Sequence, residues 1–298
     1  IRALREDRPD AELTLVANRN VLPLLERVGV ADHLLELPDK KASRLAYFSL
    51  FFQKRHDYLD TVLCLTNSTR GDMEAFLTRA PQRFGMLRPG KRRPLLTRAW
   101  PMPSDLDEKQ RHQTEVWEEM FRFYGLEAPL DRRPLDAKRP EQASTAIGMI
   151  CGTENTPEKR WPIGFWRRLV SQFVEQTDHK VHLFGTPNDK VITAQVAKGM
   201  ETTRVIDEAG TTNLAQFMDR LAACRVVICN DTGGMHLANM LGVPVIAIFG
   251  PTNPVRTGPI FDADVHLLQP QGCPATGGAP IEGVTVDRVW QQWEALDA

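Results

Sequence analysis

Between two apolar runs, in VVICNDTGGMHLANMLGVPVIAIFGP (226–251), sit an acid, a hydroxyl, two glycines and a histidine: Asp231, Thr232, Gly233, Gly234 and His236. Placed after a strand and at the opening of a helix, such a knot leaves the backbone N–H groups of 232–235 unpaired. Free donors and the helix dipole then attract an anion. Gly233 and Gly234 let a phosphate approach the backbone closely, and Thr232 adds a hydroxyl donor. Asp231 caps the helix or accepts from a sugar hydroxyl, and His236 falls about one turn in on the same face. A plain Asp/Thr cap over a packed histidine would use the same residues without any ligand.

A second stretch, CGTENTPEKRWP (151–162), also follows an apolar run and leads into a helical pattern. Gly152 and Thr153 make a tight turn, and Lys159 offers a mobile point charge to a phosphate. Trp161 is a packing anchor and Pro162 opens the helix. Alone, Lys159 reads equally as a solvated loop lysine. Two anion-friendly loops on one rim of a sheet point further, to the phosphates of a sugar nucleotide. Other chemistries lack their residues: there is no G-x-G-x-x-G, no G-x-x-x-x-G-K-[ST] and no G-x-S-x-G. Histidines at 33, 56, 112, 179, 182, 236 and 266 show no metal spacing, so no metal is expected.

The elements that position these loops are clear from residue 146 onward. Strands are expected at 146–151, 180–185, 203–208, 225–230, 243–250 and 264–269, with helices at 165–176, 189–200, 213–224 and 233–241. Strands alternating with helices of this length mean parallel βαβ units in a doubly wound sheet. Right-handed crossovers place every strand's C-terminal end on one rim, where ligands bind. The first ~140 residues read as a second α/β unit. Its strands are expected at 9–18 and 60–65, and a helix capped by Asn67 or Ser68 at 67–80. The proline-bearing stretch 131–144 is the linker, dividing domains 1–138 and 139–298 across a central cleft.

The chain has 298 residues, 42% hydrophobic and 25% charged, with a net charge of −1. That profile fits a globular protein of two ordinary domains and disfavours a dedicated nucleic-acid binder. The apolar run at 243–249 is far shorter than the ~20 residues a membrane span needs, and no signal peptide is visible. Five cysteines without a C-x-x-C pair point to a reducing cytoplasm. Residues 1–7 read as a helix already under way, so an earlier segment is expected.

GTENTPEKRWP, AGTTNL (209–214), NDTGGMHLANMLGVPVIAIFGPTNP (230–254) and TGP (257–259) together resemble the ADP-heptose:lipopolysaccharide heptosyltransferases, glycosyltransferase family 9, nearest the heptosyltransferase II branch. IRALREDRPDAELTLVAN and NSTRGDMEAFLTRAPQRFGM are similar to the family's N-terminal domain. The resemblance implies a GT-B fold, two Rossmann-like domains, with acceptor on the first and nucleotide sugar on the second. It implies inverting, metal-independent transfer with no cofactor, at the cytoplasmic face of the inner membrane. Gly152, Thr153 and Lys159 would then contact the donor's phosphates, with Lys159 stabilising the departing ADP. Asp231, Thr232, Gly233 and Gly234 would cradle the pyrophosphate and reach the heptose, with His236 nearby. The family's general base, an aspartate after the first strand, is expected to precede Ile1 and is not in this chain. Where the family carries a glutamate for the ribose, the register gives Val191, and Asp189 is the candidate substitute. A transferase or epimerase with another donor, or a non-catalytic nucleotide-sugar binder, shares these features.

Arg83, Arg88, Lys91, Arg92, Arg93 and Arg98 crowd residues 83–98 without an acid. They form either a solvated basic loop or a landing site for an anionic acceptor such as the phosphorylated lipopolysaccharide core. The aromatic run LAYFSLFF (45–52) reads as core, with a shallow membrane contact as the alternative. Trp290 and Trp293 belong to a C-terminal helix that packs as a strut.

Overall fold

A computed structural model describes residues 1–38, 43–135, 146–153 and 156–297. They form two compact units: 1–108 with 113–131, and 109–112 with the chain from 132 onward. The boundary expected between 138 and 139, and most of the 131–144 linker, lie outside the described residues.

The first unit runs α1 (Arg2–Asp7), β1 (Thr14–Ala17), α2 (Leu22–Val28), β2 (His33–Glu36), α3 (Arg44–Gln53), β3 (Thr61–Cys64), α4 (Thr69–Leu77), β4 (Gln82–Leu87), β5 (Arg98–Pro101) and α5 (Gln113–Phe123). Its strands are parallel, as an α/β unit requires, but they pair as two sheets, β1–β2 and β3–β4–β5. The strand expected over 9–18 shrinks to Thr14–Ala17. Pro9 has no N–H for a ladder, and the Arg5 guanidinium holds the carbonyls of Pro9 and Ala11 at 3.1 and 2.7 Å. Ser68 is the cap of α4, accepting from the Gly71 N–H at 3.1 Å. The aromatic run 45–52 is helical and only half core: Tyr47 and Phe51 are buried, while Leu45 is 86% exposed.

The second unit runs β6 (Ala146–Ile150), α6 (Ile163–Gln176), β7 (Lys180–Phe184), α7 (Lys190–Ala197), β8 (Val205–Asp207), α8 (Leu214–Ala222), β9 (Val226–Asn230), α9 (Gly233–Met240), β10 (Val245–Ile248), α10 (Pro254–Thr257), β11 (Val265–Leu268) and α11 (Val286–Asp297). All six strands pair in parallel in the order β11-β10-β9-β6-β7-β8. β9 and β10 are buried along their whole length, which explains their unbroken apolar runs. Helix α6 buries Trp166, Leu169, Val170 and Phe173, the i, i+3, i+4, i+7 stripe of a packed helix. Trp290 and Trp293 of α11 meet Phe173 with ring centroids 5.0 and 4.7 Å apart, so the expected strut is part of the core.

This order has a consequence for the site. From β6 the chain winds outward through β7 and β8, then returns across β6 to continue as β9, β10 and β11. The winding direction reverses between β6 and β9, and loops leaving adjacent strands at such a reversal diverge to leave a crevice. The two loops singled out in the sequence leave these two strands.

Candidate functional site at the sheet reversal

After Ile150, the end of β6, the chain turns through Cys151, Gly152 and Thr153 and reaches a short 3-10 turn, Pro157–Lys159. After Asn230, the end of β9, Asp231 and Thr232 lead into α9. Because β6 and β9 are hydrogen-bonded neighbours, Lys159 and Asp231 come together across the reversal. Lys159 Nζ donates to Asp231 Oδ2 at 2.8 Å, with side-chain exposures of 25% and 8%. Each residue is expected at a phosphate site from its own loop, and neither loop's pattern foretells that they pair.

The start of α9 is open. Thr232 is its N-cap, yet no side chain caps the terminus, and the Thr232 hydroxyl is buried without a hydrogen-bond partner. A buried hydroxyl without a partner is uncommon and calls for an explanation; a ligand oxygen would supply one. The glycines differ in role. A Cβ on Gly233 would meet nothing within 4 Å, so the backbone there is approachable from outside. A Cβ on Gly234 would run into Ile150 Cδ1, so that glycine serves the contact of α9 with β6. His236, one turn on, has its pKa pulled below the ordinary 6.5 by burial; the nearby Asp231 opposes the shift and His112 adds to it. The imidazole is therefore neutral at pH 7 and brings hydrogen-bonding capacity rather than charge.

Three expectations change. The Thr153 hydroxyl is buried and engaged: it donates to the Thr156 carbonyl at 2.9 Å and accepts from Arg160 Nε at 3.1 Å. Asp189 is buried and caps its own turn, its Oδ2 accepting from the Thr186 N–H at 2.8 Å and hydroxyl at 2.7 Å. Its other oxygen packs against Gly152, which has no room for a Cβ, so Asp189 shapes the turn rather than reaching for a ribose. In the basic stretch, acids outside it and carbonyls within or beside it claim three cations. Arg83 donates to the carbonyls of Ala80 and Leu95 at 2.6 and 2.8 Å, and Arg88 pairs with Glu108 at 2.8 Å. Arg93 forms a buried ion pair with Asp72 and donates to the Met86 carbonyl at 2.7 Å. Lys91 and Arg92 remain exposed.

Two residues escaped the sequence reading. Asn230 is fully buried at the end of β9 and bonds to both sides of the Lys159 loop. Arg160 donates from Nη2 to the Thr153 carbonyl at 2.9 Å, closing the same loop. The available signal was a lone amide ending the apolar run VVICN. A cavity of about 560 Å³ at the end of β11, lined in part by Gln269, Cys273 and Arg288, contains none of the expected site residues.

Comparison with known proteins identifies the family and the fold. The chain is 26% identical over 334 residues to lipooligosaccharide heptosyltransferase 2 of Haemophilus ducreyi, covering 98% of this chain and 92% of that one. A solved E. coli ADP-heptose lps heptosyltransferase II superposes with a TM-score of 0.83 at 23% identity, over 99% of this chain and 92% of the other. A second E. coli heptosyltransferase, solved with ADP, gives a TM-score of 0.76 at 18% identity, over 99% and 94%. These likenesses establish the GT-B fold. The model for glycosyltransferase family 9 (heptosyltransferase) matches residues 54–279, a span that takes in both loops at the sheet reversal. The chain belongs to that family and is a glycosyltransferase.

Proposed function

We propose that this enzyme moves a heptose from ADP-heptose to the lipopolysaccharide inner core, with inversion and without a metal. The observation that carries the proposal is the Lys159–Asp231 pair beside the uncapped start of α9. An ammonium has three donors, so Lys159 can keep Asp231 on one and turn another to a phosphate oxygen. The amides at Gly233 and Gly234 and the Thr232 hydroxyl complete a cradle for the diphosphate. As the bond from the anomeric carbon to the diphosphate breaks, its electron pair moves onto ADP. The new bond forms to the acceptor hydroxyl, which loses its proton to a base. Fixed positive charge and oriented amides at the leaving group stabilise that transition state more than the ground state. Asp231, held by Lys159, accepts from a donor-sugar hydroxyl in this reading.

ADP is the nucleotide bound in one related structure, and the names of the relatives supply heptose and the lipopolysaccharide class of acceptor. The acceptor belongs on the first unit, where Lys91 and Arg92 stay exposed for its phosphates. We assign the enzyme to the cytoplasmic side of the inner membrane, in peripheral contact through the exposed Leu45 and Phe52 of α3. No helix among the described residues is long and apolar enough to cross a membrane. The test is transfer from ADP-heptose to a heptose-acceptor core, read by mass spectrometry, beside calorimetric titration with ADP and UDP. A product gaining one heptose and tighter binding of ADP are expected. Preference for UDP would point to a different donor and overturn the assignment.

A further inference from the structure

We infer that Asn230 is a positioning residue for Lys159, its buried carboxamide tying both ends of the lysine loop to the strand that carries Asp231. The inference rests on the proposed diphosphate role of Lys159 and goes beyond it, because it names what sets the ammonium in place. Asn230 is fully buried at the end of β9. Its Nδ2 donates to the Cys151 carbonyl at 2.8 Å, where the loop begins, and its Oδ1 accepts from the Trp161 N–H at 3.1 Å, where the loop ends. The two partners are buried and of opposite type, so one amide satisfies both and neither could be left unpaired cheaply. The residue that follows Asn230 is Asp231, the partner of Lys159. One short stretch of strand therefore fixes the base of the loop and receives the charge at its tip.

The rest of the loop is arranged to transmit that constraint. Arg160 clamps Thr153 through both its hydroxyl and its carbonyl, and Trp161 is locked beyond the neck by donating from Nε1 to the Val284 carbonyl at 2.7 Å. With both ends held, the backbone that carries Lys159 stays beside the end of β9, within reach of Asp231. Freed at the neck, Lys159 would sample positions away from the diphosphate, and misplacement of about an ångström is enough to cost affinity and rate.

Amide exchange and a double-mutant cycle test the inference, with two substitutions. Asn230→Ala removes both bonds, and the isosteric Asn230→Asp keeps an acceptor for the Trp161 N–H should alanine fail to fold. Faster exchange is expected at the amides of Lys159, Arg160 and Trp161, with β7 amides unchanged, and less so in the aspartate variant. ADP affinity measured by calorimetry should fall roughly tenfold in Asn230→Ala and not fall further when that change is added to Lys159→Ala. Unchanged exchange in the loop overturns the inference, as does an equal loss of affinity in both backgrounds, which marks a merely structural residue. If Lys159→Ala alone leaves ADP binding intact, the diphosphate reading fails, and the exchange result still decides whether Asn230 holds the loop.

Discussion

At the scale of single residues, the candidate site holds one group whose need the described residues leave unmet. The Thr232 hydroxyl is buried without a partner. Replacing it with the near-isosteric methyl of Thr232→Val should leave stability unchanged or raise it slightly, because no protein hydrogen bond is lost. ADP binding should weaken severalfold in the same variant, as calorimetry would report. A loss of stability with unaltered ADP affinity would show the hydroxyl to be structural. His236 makes a second prediction. Its folded pKa lies below the unfolded 6.5 through burial, so the unfolded chain binds more protons when the pH drops below that value. Stability should therefore be level above pH 6.5 and fall as the medium becomes more acidic. His236→Gln should flatten that part of a denaturation-versus-pH curve. An identical slope in wild type and variant would contradict the burial argument.

At the scale of elements, the order β11-β10-β9-β6-β7-β8 makes neighbours of distant loops, and the glycines show how closely the parts fit. Gly233→Ala faces open space and should fold normally, while its methyl obstructs the phosphate's approach and reduces ADP affinity. Gly234→Ala drives a methyl into Ile150 and should lower stability by about 1–3 kcal/mol, the usual cost of overpacking. Thermal denaturation of the two variants, paired with ADP titration, separates the roles. If both lost stability equally, the division of labour between the glycines would be wrong. The elements were legible where local pattern decides them: the fully apolar runs of β9 and β10, the four-residue stripe of α6 and the Ser68 cap. The strand at 9–18 was overestimated because a side chain, Arg5, captures carbonyls that a ladder would otherwise use.

At the scale of the whole molecule, the sequence singled out two loops but not how their charges are paired. Lys159 and Asp231 stand 72 residues apart, and only the β6–β9 adjacency makes them partners. The same blindness affected the basic stretch at 83–98, where Arg88 and Arg93 looked free because their acids lie near residue 108 and on α4. Removing one member of the buried Arg93–Asp72 pair leaves an uncompensated charge, so Arg93→Ala should destabilise the first unit by about 3–5 kcal/mol in denaturant unfolding. Lys91→Ala with Arg92→Ala, by contrast, should leave stability intact and raise only the KM for a phosphorylated acceptor. A marked rise in the KM for the donor in that double variant would remove the first unit from acceptor recognition.

The central claim is that the reversal between β6 and β9 holds a diphosphate. A crystal structure with ADP bound tests it most directly. Phosphate oxygens are expected about 3 Å from Lys159 Nζ and from the amides of Gly233 and Gly234, with Thr232 Oγ1 gaining its missing partner. Nucleotide lodged elsewhere, with Lys159 still bonded only to Asp231 and the start of α9 vacant, would contradict it.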